Sequence, residues 1–513
     1  MNQAVTPLNL KKNKPEIIIV GAGVSSICLA YQLKKAGIHS FTIYEKTDEI
    51  GGTWRDNSYP GAECDVPSVL YSYSFELNPH WTQKFSPQAE ILNYLQHCVK
   101  KFDLRRHIQF NTEISTADFD KSAGLWRIKT TDNQELNANV FISAIGQLSV
   151  PKYPDIPGLK SFKGNVFHSA RWNHDKEILK DKNVAVIGSG ASAVQFIPHV
   201  AQDAGHLTVF QRSPHWIVPK PERDYAEWEH RMFESYPWVQ RMYRYMLYWQ
   251  MELAHGILHK GSWLGKRAES ICKWHINKHL SDPVLQEKMV PDYPVGCKRI
   301  LISNNYYPTF AQNNVDMVTT GIKKITPKTI VTNNGDKYPV DTLILGTGYE
   351  ATEFLTPMEV TGVDGLSLQS VWKEGAEAHL GMTVPGFPNF YMIYGPNTNL
   401  GHNSVIFMFE SQVNYIVKGI QALIDNDLKY IDVKKEVMIQ YNLKLQHDVK
   451  QTVWDSDCGS WYKNEAGKIT NNWPHTSVNY WWNTLELKLN EYNQEKYTPV
   501  AEDVVQEPLN TKV

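Results

Sequence analysis

The first strongly apolar run of the chain is Ile17–Val20, four β-branched residues that read as a buried strand. Gly21-Ala22-Gly23 follows, then apolar residues at helical spacing (Ile27, Ala30, Leu33) and a closing Gly37, which predict a helix. "SFTIYEK" supplies a second strand ending at Glu45. The same order returns later, with "KNVAVIG" as strand, "ASAVQFIPHVA" as amphipathic helix and "HLTVFQRSP" as the next strand. Two further strand-then-glycine ends, Val140–Pro151 and Asp341–Glu350, resemble each other. Their turns, Ile145-Gly146 and Gly346-Thr347-Gly348, are expected to mark where the chain leaves one unit for the other. Between about 223 and 300 the texture changes to aromatics, Met and charge at helical spacing, with no glycine-rich turn. That stretch predicts an inserted helical subdomain, and its aromatic stripe is expected to be core rather than a membrane- or substrate-binding patch.

Both glycine turns have the spacing of a dinucleotide fold: Gly21-x-Gly23-x-x-Ser26 and Gly188-x-Gly190-x-x-Ala193. The first Gly permits the tight turn, and the second lets the backbone approach a pyrophosphate at the helix N-terminus. One such turn is weak evidence; two, each between a β-branched strand and an amphipathic helix, are strong. Ser26 stands where a third Gly is usual. Glu45 lies 24 residues after Gly21, and Arg212 lies 24 residues after Gly188. An acid at that position accepts from a free ribose hydroxyl, whereas a guanidinium forks onto a 2′-phosphate. The first unit is therefore expected to take FAD and the second NADPH. The fold class is α/β, with two Rossmann-like dinucleotide-binding domains and a helical insertion. Residues 1–150 plus 385–513 form the expected FAD domain, 151–222 plus 300–384 the NADP domain, and 223–299 the insertion.

Composition narrows the partners. A chain of 513 residues is long enough for two to three domains, and 42% hydrophobic with 21% charged residues is ordinary for a globular protein. A net charge of -2 gives no reason to expect nucleic acid or an anionic membrane as the main partner. Cys28, Cys64, Cys98, Cys272, Cys297 and Cys458 lie far apart, without CxxC or metal-ligand spacing. That pattern predicts a reduced protein with no disulfide framework and no metal site. The polar leader lacks the apolar segment of a signal peptide, and no apolar run is long enough to span a membrane, so a cytoplasmic location is expected.

After Glu45 come Gly51-Gly52, Thr53 and Trp54, then the loop "YPGAECD" with Asp65. The insertion ends in Lys298-Arg299, a charge pair that beside a flavin could stabilise an anion. Together with "FKGNVFHSARWN", "QRSP", "YGPNTNLGHNS" and "SWYKNEAGKITNNWP", these motifs resemble the class B flavoprotein monooxygenases, specifically the type I Baeyer–Villiger monooxygenases, over nearly the whole chain. The family signature, Phe-x-Gly-xxx-His-xxx-Trp followed by Pro or Asp, stands here as Phe162, Gly164, His168 and Trp172, with Asn173 as a departure.

The resemblance implies an NADPH- and O2-dependent enzyme with FAD. Acting through a flavin C4a-peroxide, it would insert one oxygen beside a ketone carbonyl to give an ester or lactone. Arg299 matches the family's active-site arginine and Asp65 the acid that orients it. Gly21, Gly23, Ser26, Glu45, Gly52, Thr53, Trp54, Asp65, Tyr71 and Asn397 would contact cofactor. So would Gly188, Ser189, Gly190, Ala191, Ala193, Arg212, Ser213 and Lys298. His168 and Trp172 would act by positioning the cofactor domains, not as acid or base. The implied partner is a small-molecule ketone or thioether. Two rival readings are an N- or S-oxygenating monooxygenase and, more remotely, a non-catalytic flavin-binding module. A fixed guanidinium favours the nucleophilic anion that attacks carbonyls, which ranks ketones first. A disulfide reductase would need a close cysteine pair, and the sequence has none.

Overall fold

In a computed structural model of the protein, described over residues 14–464 and 466–497, Ile17–Val20 forms β1 and feeds α1 (Val24–Lys35). The polar leader lies almost entirely outside the described residues. β2 (Phe41–Tyr44), β3 (Ile108–Gln109) and β4 (Val140–Ser143) complete the near half of a five-stranded sheet. Its order is Phe390–Met392, β4, β1, β2, β3, all parallel. β4 is buried along its whole length, as a parallel strand covered on both faces must be.

The second unit repeats the plan. β5 (Asn165–His168), β6 (Asn183–Ile187), α2 (Ala191–Asp203), β7 (His206–Phe210), β8 (Val315–Val318) and β9 (Thr342–Leu345) build it. The sheet order is β8, β7, β6, β9, β5, again parallel. In each unit a strand end packs on the nucleotide turn. A Cβ at Gly21 would sit 3.0 Å from the Ala144 carbonyl, and one at Gly188 would run into the carbonyl of Gly346. Both glycines also have positive φ, +96° and +111°, so no other residue fits the turn without strain.

Two chain crossings join the units and run antiparallel. Pro151 bridges Tyr349, Lys152 N–H donates to Gly348 O at 2.9 Å, and Glu350 N–H donates to Val150 O at 3.0 Å. The expected end of the second unit at 384 is corrected to about 350. Beyond the return crossing, Glu359–Thr361 pairs with Ile114–Asp120, and Leu355, Met358, Val360 and Leu368 share a core with Ile18, Phe141 and Phe390 of the first unit. The apolar residues of that segment match the outer face of the first sheet, which no local pattern reveals.

Four helices occupy the inserted stretch from Glu227 to Met289. The longest are α3 (Pro237–Leu253) and α4 (Trp263–His279). The expectation that the aromatic stripe is core fails. Leu247 and Tyr248 face inward, but Trp238, Met242, Tyr245, Met246, Trp249 and Leu253 are all exposed. Polar groups hold the inner face instead: Gln240 donates to Asn78 O at 2.6 Å and Arg244 to Val69 O at 2.7 Å.

The expectation of no disulfide also fails. Cys297 and Cys458 are bonded, with Cα atoms 6.4 Å apart across 161 residues of sequence, while Cys28, Cys64, Cys98 and Cys272 are free and buried. Spacing cannot show such a pair, because the fold alone brings the two segments together.

Candidate active site

The two nucleotide turns open onto one cavity of about 1820 Å³. A single-ligand pocket is roughly 300–1,000 Å³, so this volume has room for more than one ligand. Its walls include Gly21, Gly23, Glu45, Gly52, Thr53, Trp54, Asp65 and Tyr71 from the first unit. Gly188, Ser189, Gly190, Ala191, Arg212 and Ser213 come from the second, and Lys298 and Arg299 from the end of the insertion. Ser26, Ala193 and Asn397 are not on the wall, nor are Phe162, Gly164, His168 and Trp172.

Around the first turn, Gly23 caps α1 without any side-chain cap bond, which leaves its opening N–H groups to a ligand. Ser26 is buried and its hydroxyl donates back to Gly23 O at 2.9 Å, so the unusual third position tightens the turn instead of widening it. Glu45 is buried. Its Oε1 accepts from Thr47 and from Arg55 (3.1 Å), while among the described residues Oε2 accepts only Ala22 N–H, at 2.8 Å. Oε2 thus keeps acceptor capacity for a hydroxyl. Gly52, at φ +53°, brings its chain onto Gly23, and Gly51 N–H donates to Ala22 O at 2.9 Å. Trp54 Nε1 donates to the Tyr71 hydroxyl at 3.1 Å, and the rings meet edge-on at 5.5 Å.

At the second turn α2 likewise starts at Gly190 without a side-chain cap bond. Ala193 takes its place under the strand end: a Cβ on Gly346 would lie 3.4 Å from its methyl, which explains a small residue there. Ser189 Oγ donates to Ser213 O at 3.4 Å. Lys298 is buried and donates to Ser213 Oγ at 2.7 Å. Burial, then the neighbouring Arg212 charge, pull the Lys298 pKa below its ordinary value, with Asp292 opposing. Arg212 is exposed and makes no ion pair among the described residues. Two neighbouring cations beside a hydroxyl suit a dianionic group such as a 2′-phosphate.

Arg299 reaches Asp65 through Nε (2.9 Å to Oδ2) and Nη2 (2.7 Å to Oδ1, 2.6 Å to Oδ2). Asp65, first among the causes, raises the arginine's pKa further, so it is charged at every working pH. Nη1 has no partner among the described residues and keeps two N–H donors. The Tyr394 and Tyr462 phenols nearby are pushed up chiefly by burial, Tyr462 to about 12, and stay neutral.

The linker segment lies outside the cavity and ties its walls together. Phe162 is buried in the second unit's core, and a Cβ at Gly164 would run into the carbonyl of Asp341, so only Gly lets β5 approach there. His168 is fully buried. Its Nδ1 accepts Ala170 N–H at 3.0 Å, and its ring lies 5.5 Å from Tyr153 and 6.1 Å from Tyr349, one on each crossing. Burial drives its pKa down to about 4, against a smaller opposing effect of the Gly348 backbone, so it is neutral near pH 7. Trp172 contacts Tyr59 of the first unit (6.4 Å) and Phe196 of α2 (5.2 Å). Asn173 is explained as well: its Oδ1 accepts Asp175 N–H at 3.0 Å, the same Asx turn that Asp would make.

Asn397 does not reach the cavity. It donates to Ile469 O and Asn472 O, each at 3.0 Å, and pins the C-terminal segment. Asn399, two residues on, lines the wall and accepts from the Tyr394 hydroxyl at 2.6 Å. His215 is a wall residue that the sequence reading missed. Its pKa is pushed down to about 4 by burial and then by Lys298, and its only signal was a His two residues past Ser213.

Residues 14–359 match the family described as "Flavin-binding monooxygenase-like". A relative from Pseudomonas aeruginosa named "Baeyer-Villiger monooxygenase" is 41% identical over 469 residues, covering 90% of this chain and 87% of its own. A solved structure titled as OTEMO complexed with FAD and NADP aligns over 94% of this chain and 99% of its own, at TM-score 0.84 and 26% identity. The closed structure of a cyclohexanone monooxygenase aligns over 94% and 100%, at TM-score 0.85 and 25% identity. Two dinucleotide turns around one cavity, with a paired guanidinium between them, and these matches along most of the length agree: the chain belongs to the flavin-binding monooxygenase-like family, among its Baeyer–Villiger monooxygenases.

Proposed function

We propose that this chain is an NADPH- and O2-dependent flavoprotein that inserts one oxygen atom beside the carbonyl of a small ketone, giving an ester or lactone. The observation that carries the reading is the Arg299–Asp65 pair standing in a cavity shared by both nucleotide turns. FAD would be held by Gly21, Gly23, Glu45, Gly52, Thr53 and Trp54, and NADP(H) by Gly188, Ser189, Gly190, Ala191, Arg212, Ser213 and Lys298. Bound together, the two cofactors supply the redox chemistry that couples NADPH and O2 to transfer of one oxygen atom.

The protein's own share is electrostatic. Asp65 locks the plane and direction of the guanidinium, so its Nη1 donors are fixed before reaction and need no reorganisation. A permanent positive charge there favours anionic oxygen over its neutral conjugate acid, and an anionic oxygen adds to a carbonyl carbon. It also stabilises the negative charge that develops on the former carbonyl oxygen. Tyr394 and Tyr462 remain neutral and bring no competing negative charge. His168 cannot serve as a base: it is buried away from the cavity, and Trp172 beside it keeps the two units in register.

The test is product analysis by mass spectrometry after aerobic incubation with NADPH and a panel of cyclic, linear and aryl ketones plus a thioether. Esters or lactones one oxygen heavier than the ketone support the reading. NADPH consumption with sulfoxide and no ester would move the activity to heteroatom oxygenation.

A further inference from the structure

We propose that the outward faces of α3 and α4 dock the enzyme onto an anionic phospholipid surface. On α3, Trp238, Met242, Tyr245, Met246, Trp249 and Leu253 recur at spacings of four, three, one, three and four. At 3.6 residues per turn these positions fall within an arc of roughly 100°. Their exposures run from 49% to 74%, so the entire apolar stripe faces solvent.

The stripe is not an accident of loose packing. Gln240, Arg244, Tyr248 and Glu252 fix the opposite face of α3 through bonds to Asn78, Val69, Ser477 and Asn403. The helix therefore cannot roll to hide its tryptophans. A rigid, contiguous apolar face of this kind marks a surface that is covered in use.

Charge chooses the occupant. On α4, exposed Trp263, Arg267, Trp274 and Lys278 recur at four, seven and four residues, placing aromatics and cations on one face. Lys278 lies 5.0 Å over the Trp274 ring. Between Pro237 and His279 there are seven Lys or Arg and two Asp or Glu, in a chain whose net charge is -2. Arg241, Lys266, Arg267 and Lys278 make no ion pair among the described residues. Tryptophan and tyrosine interleaved with unpaired cations match the headgroup boundary of an anionic bilayer, where rings reach the acyl edge and cations meet phosphate. Among the described residues no helix is long and apolar enough to cross a membrane, so the contact is peripheral.

The holoenzyme should cosediment with vesicles of phosphatidylcholine plus phosphatidylglycerol, bind phosphatidylcholine alone much more weakly, and be released by high salt. A double variant W238S/W249S should lower binding at least about tenfold while its NADPH oxidation rate is unchanged, since burying each ring contributes more than the 1.4 kcal/mol per decade. A second variant, R267E/K278E, alters only exposed charges and should abolish the preference for phosphatidylglycerol. Failure of the wild-type holoenzyme to sediment with the anionic vesicles overturns the proposal. So does a concentration-dependent dimer that W238S/W249S dissociates, because the face would then be covered by a second copy of the chain.

Discussion

Arg299 grips Asp65 with Nε and Nη2 and, among the described residues, leaves Nη1 unengaged, although 234 residues of sequence separate the two. About a third of the arginine side chain and a quarter of the aspartate are open to the cavity, so the pair is partly screened and acts mainly through geometry. Arg299→Ala removes the donors aimed at developing negative charge. Ester formation should fall by about a hundredfold or more, the scale of losing an oxyanion donor. Flavin reduction by NADPH, followed anaerobically by bleaching of the yellow colour, should persist. Retained ester formation would refute the role. Asp65→Asn should give a smaller loss, because the guanidinium stays but its direction is no longer held.

Cofactor choice should follow Arg212 and Lys298. A charge-assisted bond is worth about 1.5–3 kcal/mol, so Arg212→Ala should raise the KM for NADPH roughly ten- to a hundredfold and leave that for NADH nearly unchanged. Steady-state kinetics with both nucleotides checks this. Equal effects on the two would show that Arg212 does not read the 2′-phosphate.

How legible was all this in the chain? Local features were: both strand–turn–helix units, the crossings at Gly146 and Gly346–Gly348, and the acid and guanidinium at matched positions follow from period, turn chemistry and spacing. Features set by distant packing were not. The inward-facing side of α3 is held by Gln240, Arg244 and Glu252, so polar residues pack while tryptophans face out, the reverse of the usual amphipathic rule. Asn397 stands two residues before Asn399, which reaches the wall, a difference of loop geometry with no trace in composition. Cys297 meets Cys458 only because the insertion ends beside the C-terminal segment.

His168 should make stability depend on acid pH. Its folded pKa, about 4, lies below the ordinary 6.5, so between those values the unfolded chain binds more protons. Stability from this site is complete above pH 6.5 and is lost as pH falls toward 4, by at most about 3 kcal/mol. His168→Gln keeps a polar group of similar size without the titration. Melting temperature against pH should therefore fall less steeply in the variant over that window. Parallel curves would show that His168 is not buried as a neutral ring.

The Cys297–Cys458 bond ties the residue preceding Lys298-Arg299 to the segment in which Gly459, Ser460 and Trp461 line the cavity. Thiol titration of the denatured, unreduced protein should find four groups, rising to six after a dithiol reductant. Closing so long a loop contributes up to about 5 kcal/mol by chain entropy. Reduction, or Cys458→Ser, should therefore lower the melting temperature by several degrees. It should also loosen the wall next to Arg299, so ester yield per NADPH consumed should drop more than NADPH oxidation itself. Six thiols before reduction would show the pair open, and an unchanged yield in Cys458→Ser would show that the bond does not brace the site.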